Sequence, residues 1–233
     1  IYRHVSQVGD ITTTAAVNAL DYHARFTALS PHYDAVIHIN LGAGFSSCHQ
    51  NARLAASDFT NVFAVDSQNL SGGQGHVVLE AARLSETGHA PEEILAGLDQ
   101  FIPRVDTSFL LSQLEYLRKG GRCSSVAALG ANLLKLKPCI EVRDGAMHVG
   151  KKYRGAYEKA LLEYTRDRLS GCSGLDPHRT MVVRTACPPS VTEAVCREVE
   201  AITGSCPFTT FYTGCTISSH CGPCTLGISS VRI

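Results

Sequence analysis

Residues 109–154 read FLLSQLEYLRKGGRCSSVAALGANLLKLKPCIEVRDGAMHVGKKYR, and this stretch decides the fold. Leu110, Leu114 and Leu117 recur at helical spacing until Gly120-Gly121 stops the helix. Ser124 or Ser125 can cap a second helix with Val126, Leu129, Leu133 and Leu134 on one side. Pro138 is expected to end it. Cys139, Ile140 and Val142 then read as a strand, Asp144-Gly145 as a two-residue hairpin turn, and Met147 and Val149 as the return strand. The order is helix, basic turn, helix, hairpin.

Before this block, residues 14–28 read as a helix. Thr13 or Thr14 is a candidate N-cap, and Ala16, Leu20, Tyr22 and Phe26 share a side. Residues 35–41 (AVIHINL) form a strand that leads through Gly42 and Gly44 to a helix opened by Ser46-Ser47. Val62 to Val65 is a second strand. Ser71-Gly72-Gly73 opens a helix that Gly88 closes, and Pro91 starts another. Strand, helix, strand, helix, helix is the pattern of a parallel sheet covered on both faces. After the block come a helix from Tyr157 to Leu169, a strand from Thr180 to Arg184, a helix from Val191 to Ile202, and strands at 208–212 and 227–233. The hairpin makes this half's sheet mixed. The fold class is α/β with two domains: a three-layer parallel-sheet domain over 1–105 and a two-layer mixed-sheet domain over 106–233, with the boundary near Val105.

With 233 residues, 44% of them hydrophobic, the chain can bury a sizeable core. Lys+Arg and Asp+Glu stand at 21 each, so bulk charge does not select nucleic acid or a membrane surface. No apolar run approaches a membrane span, so stable membrane insertion is not expected. The ten cysteines are scattered, several inside apolar stretches. That pattern suits reduced thiols in a cytoplasmic protein better than a disulfide scaffold.

Three further stretches carry possible chemistry. Residues 11–18 (ITTTAAVN) put hydroxyls where a helix is expected to start, and on residue type alone they read as caps. Residues 42–47 (GAGFSS) join a strand to a helix start, where amides and dipole favour an anion. The third glycine of a dinucleotide fingerprint is missing there. Residues 217–227 (ISSHCGPCTLG) contain Cys221-Gly222-Pro223-Cys224, the sequence of a thioredoxin dithiol. A dithiol oxidoreductase using Cys221 and Cys224 is therefore one alternative, although the residues after Cys224 read as a strand. Cys215, His220, Cys221 and Cys224 invite a zinc reading, against which stand the adjacent His-Cys ligands. Ser46, His220 and Asp66 are the residue types of a serine-type lipid hydrolase, without the Gly-x-Ser-x-Gly elbow.

The conjunction of Leu114-Glu115-Tyr116-Leu117, Lys119-Gly120-Gly121-Arg122, Leu129-Gly130, Lys137-Pro138, Asp144-Gly145 and Lys152-Tyr153-Arg154-Gly155 resembles the DegV family of bacterial fatty-acid-binding proteins. The resemblance runs over nearly the whole chain and takes it up after the family's first strand and helix, so an amino-terminal portion is expected to be missing. It implies a long-chain fatty acid held between two domains, with no cofactor, no metal and no catalytic site. It places Thr14, with Thr13 as fallback, beside the carboxylate. The family usually has Leu-Ser-Gly-Thr-Tyr where this chain has Phe45 to His49, so Ser46 transfers cleanly, while Gly44 and Ser47 belong to an altered loop. It matches residues 220–227 to a His-x-Gly-Pro-Gly-x-x-Gly ending, with His220 reaching the carboxylate and Cys224 at the second glycine of Gly-Pro-Gly. It also implies a separate fatty acid kinase that phosphorylates the bound lipid, with Arg154 engaged in that step. The chain lacks a Walker loop, consistent with a carrier.

Overall fold

A computed structural model describes residues 1–122, 136–170, 174–204 and 206–233. The chain divides into two compact units: a larger one of Ile1–Thr14, Asp106–Arg143 and Met147–Ile233, and a smaller one of Ala15–Val105 with Asp144–Ala146. The first fourteen residues, including the short helix α1 (Tyr2–Val8), thus group with the chain's second half.

The smaller unit is built on the parallel strands β1 (Val36–Asn40) and β2 (Val62–Asp66), in register from Val36↔Val62 to Asn40↔Asp66. Helices α2 (Ala19–Leu29) and α3 (Cys48–Ala56) bury Tyr22, Phe26, Ala52 and Ala55 against Val36, Val62 and Ala64. Alternation along the strands sends Ile37, Ile39, Phe63 and Val65 to the other face. Helices α4 (Gly72–Glu86) and α5 (Pro91–Phe101) complete the unit. Helix α2 starts later than its periodicity suggests. Asn18 is its cap, accepting from the Asp21 amide at 2.9 Å, and residues 14–18 lie outside it. Tyr22 and Phe26 are buried as expected, whereas Ala16 is exposed and Leu20 is 81% exposed.

The larger unit carries a six-stranded sheet in the order β5-β4-β3-β8-β6-β7. Its strands are β3 (Val105–Leu110), β4 (Leu136–Arg143), β5 (Ala146–Arg154), β6 (Leu175–Arg184), β7 (Thr209–Tyr212) and β8 (Leu226–Arg232). β3 pairs antiparallel with β4, β6 antiparallel with β8 and parallel with β7, so the sheet is mixed. Helix α6 (Glu115–Gly120) ends at Gly121, which is left-handed at φ 67°. Helices α7 (Tyr157–Leu169) and α8 (Pro189–Thr203) pack Leu161, Tyr164, Val191 and Val195 onto Leu110, Val182, Leu226 and Ile228. Phe109, Leu111 and Ile140, alternating with these, form a second cluster with Leu117 of α6 and with Ile217 and Cys221 of α9 (Cys215–Cys221).

The Asp144-Gly145 turn behaves as its sequence requires, with φ of 50° and 70° at the two residues. Pro138 does not end a helix. It is buried as the third residue of β4, which starts at Leu136. The helix expected from Ser124 onward lies outside the described residues. Lys151 to Arg154 are the last residues of β5.

Candidate functional site

His220 sits in the last turn of α9, half-buried, with its Nε2 at 2.7 Å from the Thr14 hydroxyl. Burial first, and the charge of Arg122 second, lower its pKa below the usual imidazole value. The ring is therefore neutral at pH 7, able to donate or accept at Nε2 according to tautomer. Among the described residues, its buried Nδ1 has no hydrogen-bond partner. The segment before Ala15 fixes this pair. The Thr12 hydroxyl donates to Ser219 Oγ at 2.8 Å, and the Tyr2 hydroxyl to the Ser218 carbonyl at 3.1 Å. Residues 11–14 carry no helix, and the two bonds from Thr12 and Thr14 show that these side chains share one side of the segment. Thr13 is exposed. None of the three threonines caps α2. The clamp on Ser218 and Ser219 was not legible beforehand; its trace in the sequence is the match of Thr-x-Thr to consecutive Ser219 and His220.

Close approaches explain why the motif glycines are glycines. A Cβ on Gly120 would lie 2.2 Å from His220 Nδ1, and one on Gly222 would lie 2.6 Å from the Tyr116 ring. Tyr116 meets Tyr2 edge-on, with centroids 5.9 Å apart. The Glu-Tyr-Leu run, the glycine pair and the Cys-Gly-Pro-Cys run are thus one packed assembly around His220.

The loop after α9 is held by side chains. Thr185 Oγ1 donates to the Gly222 carbonyl and accepts from the Thr225 amide, both at 2.9 Å. Ser112 Oγ donates to the Pro223 carbonyl at 2.6 Å. Cys224 adopts φ 56°, the left-handed region that glycine enters freely. Cys221 closes a helix instead of heading one. Its thiol lies in the apolar cluster, and burial pushes its pKa up to about 12, opposite to an activated dithiol nucleophile.

In the smaller unit, the turn after β1 is shaped by Asp66 and by a close contact. Asp66 Oδ1 accepts from the amides of Ala43 (3.0 Å) and Gln68 (2.9 Å), so Ala43's amide is already taken. A Cβ on Gly44 would lie 2.2 Å from the Gly145 carbonyl oxygen. Ser46 Oγ donates to Cys48 Sγ at 3.1 Å and accepts from the Cys48 amide at 3.2 Å, while Ser47 is exposed. Burial raises the Cys48 pKa, but hydrogen bonds from Ser46, Val17 and Tyr22 outweigh it and bring the thiol below its usual value.

Thr14 and His220 are brought together in the larger unit, while Gly44, Ser46 and Ser47 share one turn of the smaller. Asp66 is bonded to the backbone amides of Ala43 and Gln68, and the His220 ring to Thr14. Among the described residues, no three His, Cys, Asp or Glu side chains are placed to hold a metal ion. No described helix is long and apolar enough to cross a membrane. Arg154 is exposed at the end of β5. Lys151 reaches Asp167 at 2.6 Å and Glu163 at 3.1 Å, and the Tyr153 hydroxyl donates to Asp167 at 2.8 Å.

A family profile described as "Uncharacterised protein, DegV family" matches residues 1–232. The chain belongs to the DegV family. It is 29% identical over 228 residues to a DegV domain-containing protein of Caldanaerobacter subterraneus, covering 94% of this chain and 79% of that one. A Thermus thermophilus structure titled as fatty acid binding of a DegV family protein superposes with a TM-score of 0.86 at 26% identity, covering 100% of this chain and 83% of that one. DegV of Bacillus subtilis, described as a fatty acid binding protein, superposes with a TM-score of 0.83 at 28% identity, over 100% and 83%.

Proposed function

We propose that this chain binds a long-chain fatty acid through its carboxylate and, in the cytoplasm, presents it to a separate fatty acid kinase for acyl-phosphate formation. It acts as a carrier without a catalytic site of its own. The observation that carries the reading is the Thr14–His220 pair: a hydroxyl 2.7 Å from a neutral, half-buried imidazole. A carboxylate leaving water needs several donors, and when Nε2–H donates to Thr14 the hydroxyl proton is free for it, without a fixed countercharge. Ser46 is the donor proposed from the smaller unit. The alkyl chain supplies the affinity, at about 0.8 kcal/mol per methylene buried. Two relatives described as fatty acid binding, at 26% and 28% identity, support the ligand class.

The test is mass spectrometry of an organic extract of the purified protein, with calorimetric titration of palmitate. A stoichiometric fatty acid in the extract, and binding that Thr14→Val and His220→Ala each weaken, is the expected result. An extract without fatty acid and a flat titration would remove the proposal.

A further inference from the structure

Cys224 stands where the resemblance expects the second glycine of Gly-Pro-Gly, and it keeps the left-handed backbone of that glycine, φ 56°. A non-glycine residue there is uncommon and needs its surroundings to hold it. The surroundings are explicit. The Cys224 amide donates to the Ala186 carbonyl at 2.9 Å, one residue before Cys187, and the Thr185 amide donates to the Thr225 carbonyl at 2.9 Å. The Cys224 carbonyl accepts from the Tyr157 hydroxyl. Cys187 Sγ points at the same strand end, 3.9 Å from the Thr225 carbonyl. Cys224 is therefore paired by its backbone to the strand end that carries Cys187, near enough to help raise the Cys187 pKa. Cys221, the partner that the Cys-Gly-Pro-Cys spacing suggests, has its thiol in the apolar cluster with Phe109 and Leu117.

We infer that Cys187 and Cys224 are a disulfide-forming pair, and that their oxidation retunes the loop that carries His220. The oxidant class is a low-molecular-weight disulfide, RSSR. The Cys224 thiolate attacks one sulfur of RSSR, forming a mixed disulfide and releasing RS⁻. Cys187, deprotonated, attacks the Cys224 sulfur and releases the second RS⁻. Two protein thiols are oxidised, one disulfide is reduced to two thiols, and the two protons pass to the thiolates released. Burial, then the neighbouring Cys224, push the Cys187 thiol up to about 12, so closure is slow at neutral pH and faster as pH rises. Closing the bond pulls the two sulfurs to about 2.05 Å from each other. That pull acts four residues from His220, whose ring bonds Thr14 and faces Gly120.

The affinity part of this inference rests on the proposed fatty acid site; the cross-link does not. The full chain is incubated with bis(2-hydroxyethyl) disulfide at pH 7 and pH 9, then digested without reduction and mapped by tandem mass spectrometry. A link between Cys187 and Cys224, faster at pH 9, reversed by dithiothreitol and lost in Cys187→Ser and Cys224→Gly, is expected. Only mixed disulfides, or a link from Cys224 to Cys221, would overturn the pair. Palmitate affinity of the reduced and oxidised chains is then compared, with at least a threefold weakening expected on oxidation. Equal affinities would overturn the coupling to His220. A reduced chain that binds no palmitate counts against the proposed function, whatever the cross-link shows.

Discussion

Two turns carry the candidate residues, and they are built by opposite means. The turn at residues 220–225 is fixed by side chains from elsewhere in the larger unit: Thr185, Ser112, Tyr157, Thr12 and Thr14 all bond to it or to the end of α9. The turn at residues 42–47 is fixed mainly by backbone: Gly42 N–H donates to the Asn69 carbonyl, Phe45 N–H donates to the Gly42 carbonyl, and Gly44 admits the Gly145 carbonyl. From outside the turn, the Asp66 side chain accepts from it at Ala43. A turn held by side chains positions one functional ring closely and depends on each holder. A turn held by backbone contact tolerates side-chain change but not a change at its glycine.

The largest effects should fall on the two glycines, in different observables. Gly44→Ala sets a methyl against a carbonyl oxygen that cannot swing aside, and should lower stability by about 1–3 kcal/mol in a denaturant titration. Gly120→Ala meets an imidazole that can rotate, so its stability loss should be smaller and its loss of palmitate affinity larger. If Gly120→Ala binds palmitate normally, the ring is not held as described.

Next in size are the ring's own partners. Thr14→Val and His220→Ala should each cost about 1.5–3 kcal/mol of palmitate binding when the bond to the charged carboxylate is buried. In a double-mutant cycle their effects should be non-additive, because one hydrogen bond joins them. Ser46→Ala should weaken binding less, and should also raise the Cys48 pKa, followed as the pH dependence of iodoacetamide labelling.

Arg154→Ala addresses neither turn. It should leave palmitate affinity within twofold while reducing acyl-phosphate formation by the kinase, with Arg154→Lys restoring part, since a guanidinium holds phosphate bidentately. Unchanged turnover would return Arg154 to the solvated surface.

The smallest effect is a pH dependence. The folded state holds His220 and His38 below the usual imidazole pKa, chiefly by burial. Their contribution to stability is complete above about pH 6.5 and declines as pH falls from there through the lowered folded values, where the unfolded chain takes up protons first. His220→Gln should flatten that decline. Palmitate, by placing an anion beside the ring, should raise the His220 pKa in a proton NMR titration.

Much of the fold was legible because local chemistry and tertiary packing agree. Asp144-Gly145 demands two positive φ angles and has them, and Tyr157 to Leu169 is a helix over the expected residues. The failures lie where tertiary contacts override local preference. Residues 215–221 (CTISSHC) have poor helix formers, yet they form α9 because Ser218 and Ser219 are buried and tied to Tyr2 and Thr12. Thr14 looks like a cap and is a partner of His220, leaving Asn18 to start α2. Pro138 looks like a stop and is inside a strand. The family resemblance set Thr14 and His220 beside one carboxylate, and the structure joins them directly; residue type alone gives no sign of that bond, which spans 206 residues.

That separation bears on how the molecule is made. The bonds from Tyr2, Thr12 and Thr14 span 216, 207 and 206 residues. On a ribosome, at about 5–20 residues per second, the segment before Ala15 waits on the order of ten seconds or more for its partners to emerge. Closing so long a loop costs only slightly more entropy than closing a short one, since the cost grows with the logarithm of length. The delay is therefore one of synthesis more than of free energy. The smaller unit's residues are all translated before α9 exists, and the Thr14–His220 pair must wait for α9. The pair on which the proposed carboxylate site rests therefore forms only after every residue of the smaller unit has been made.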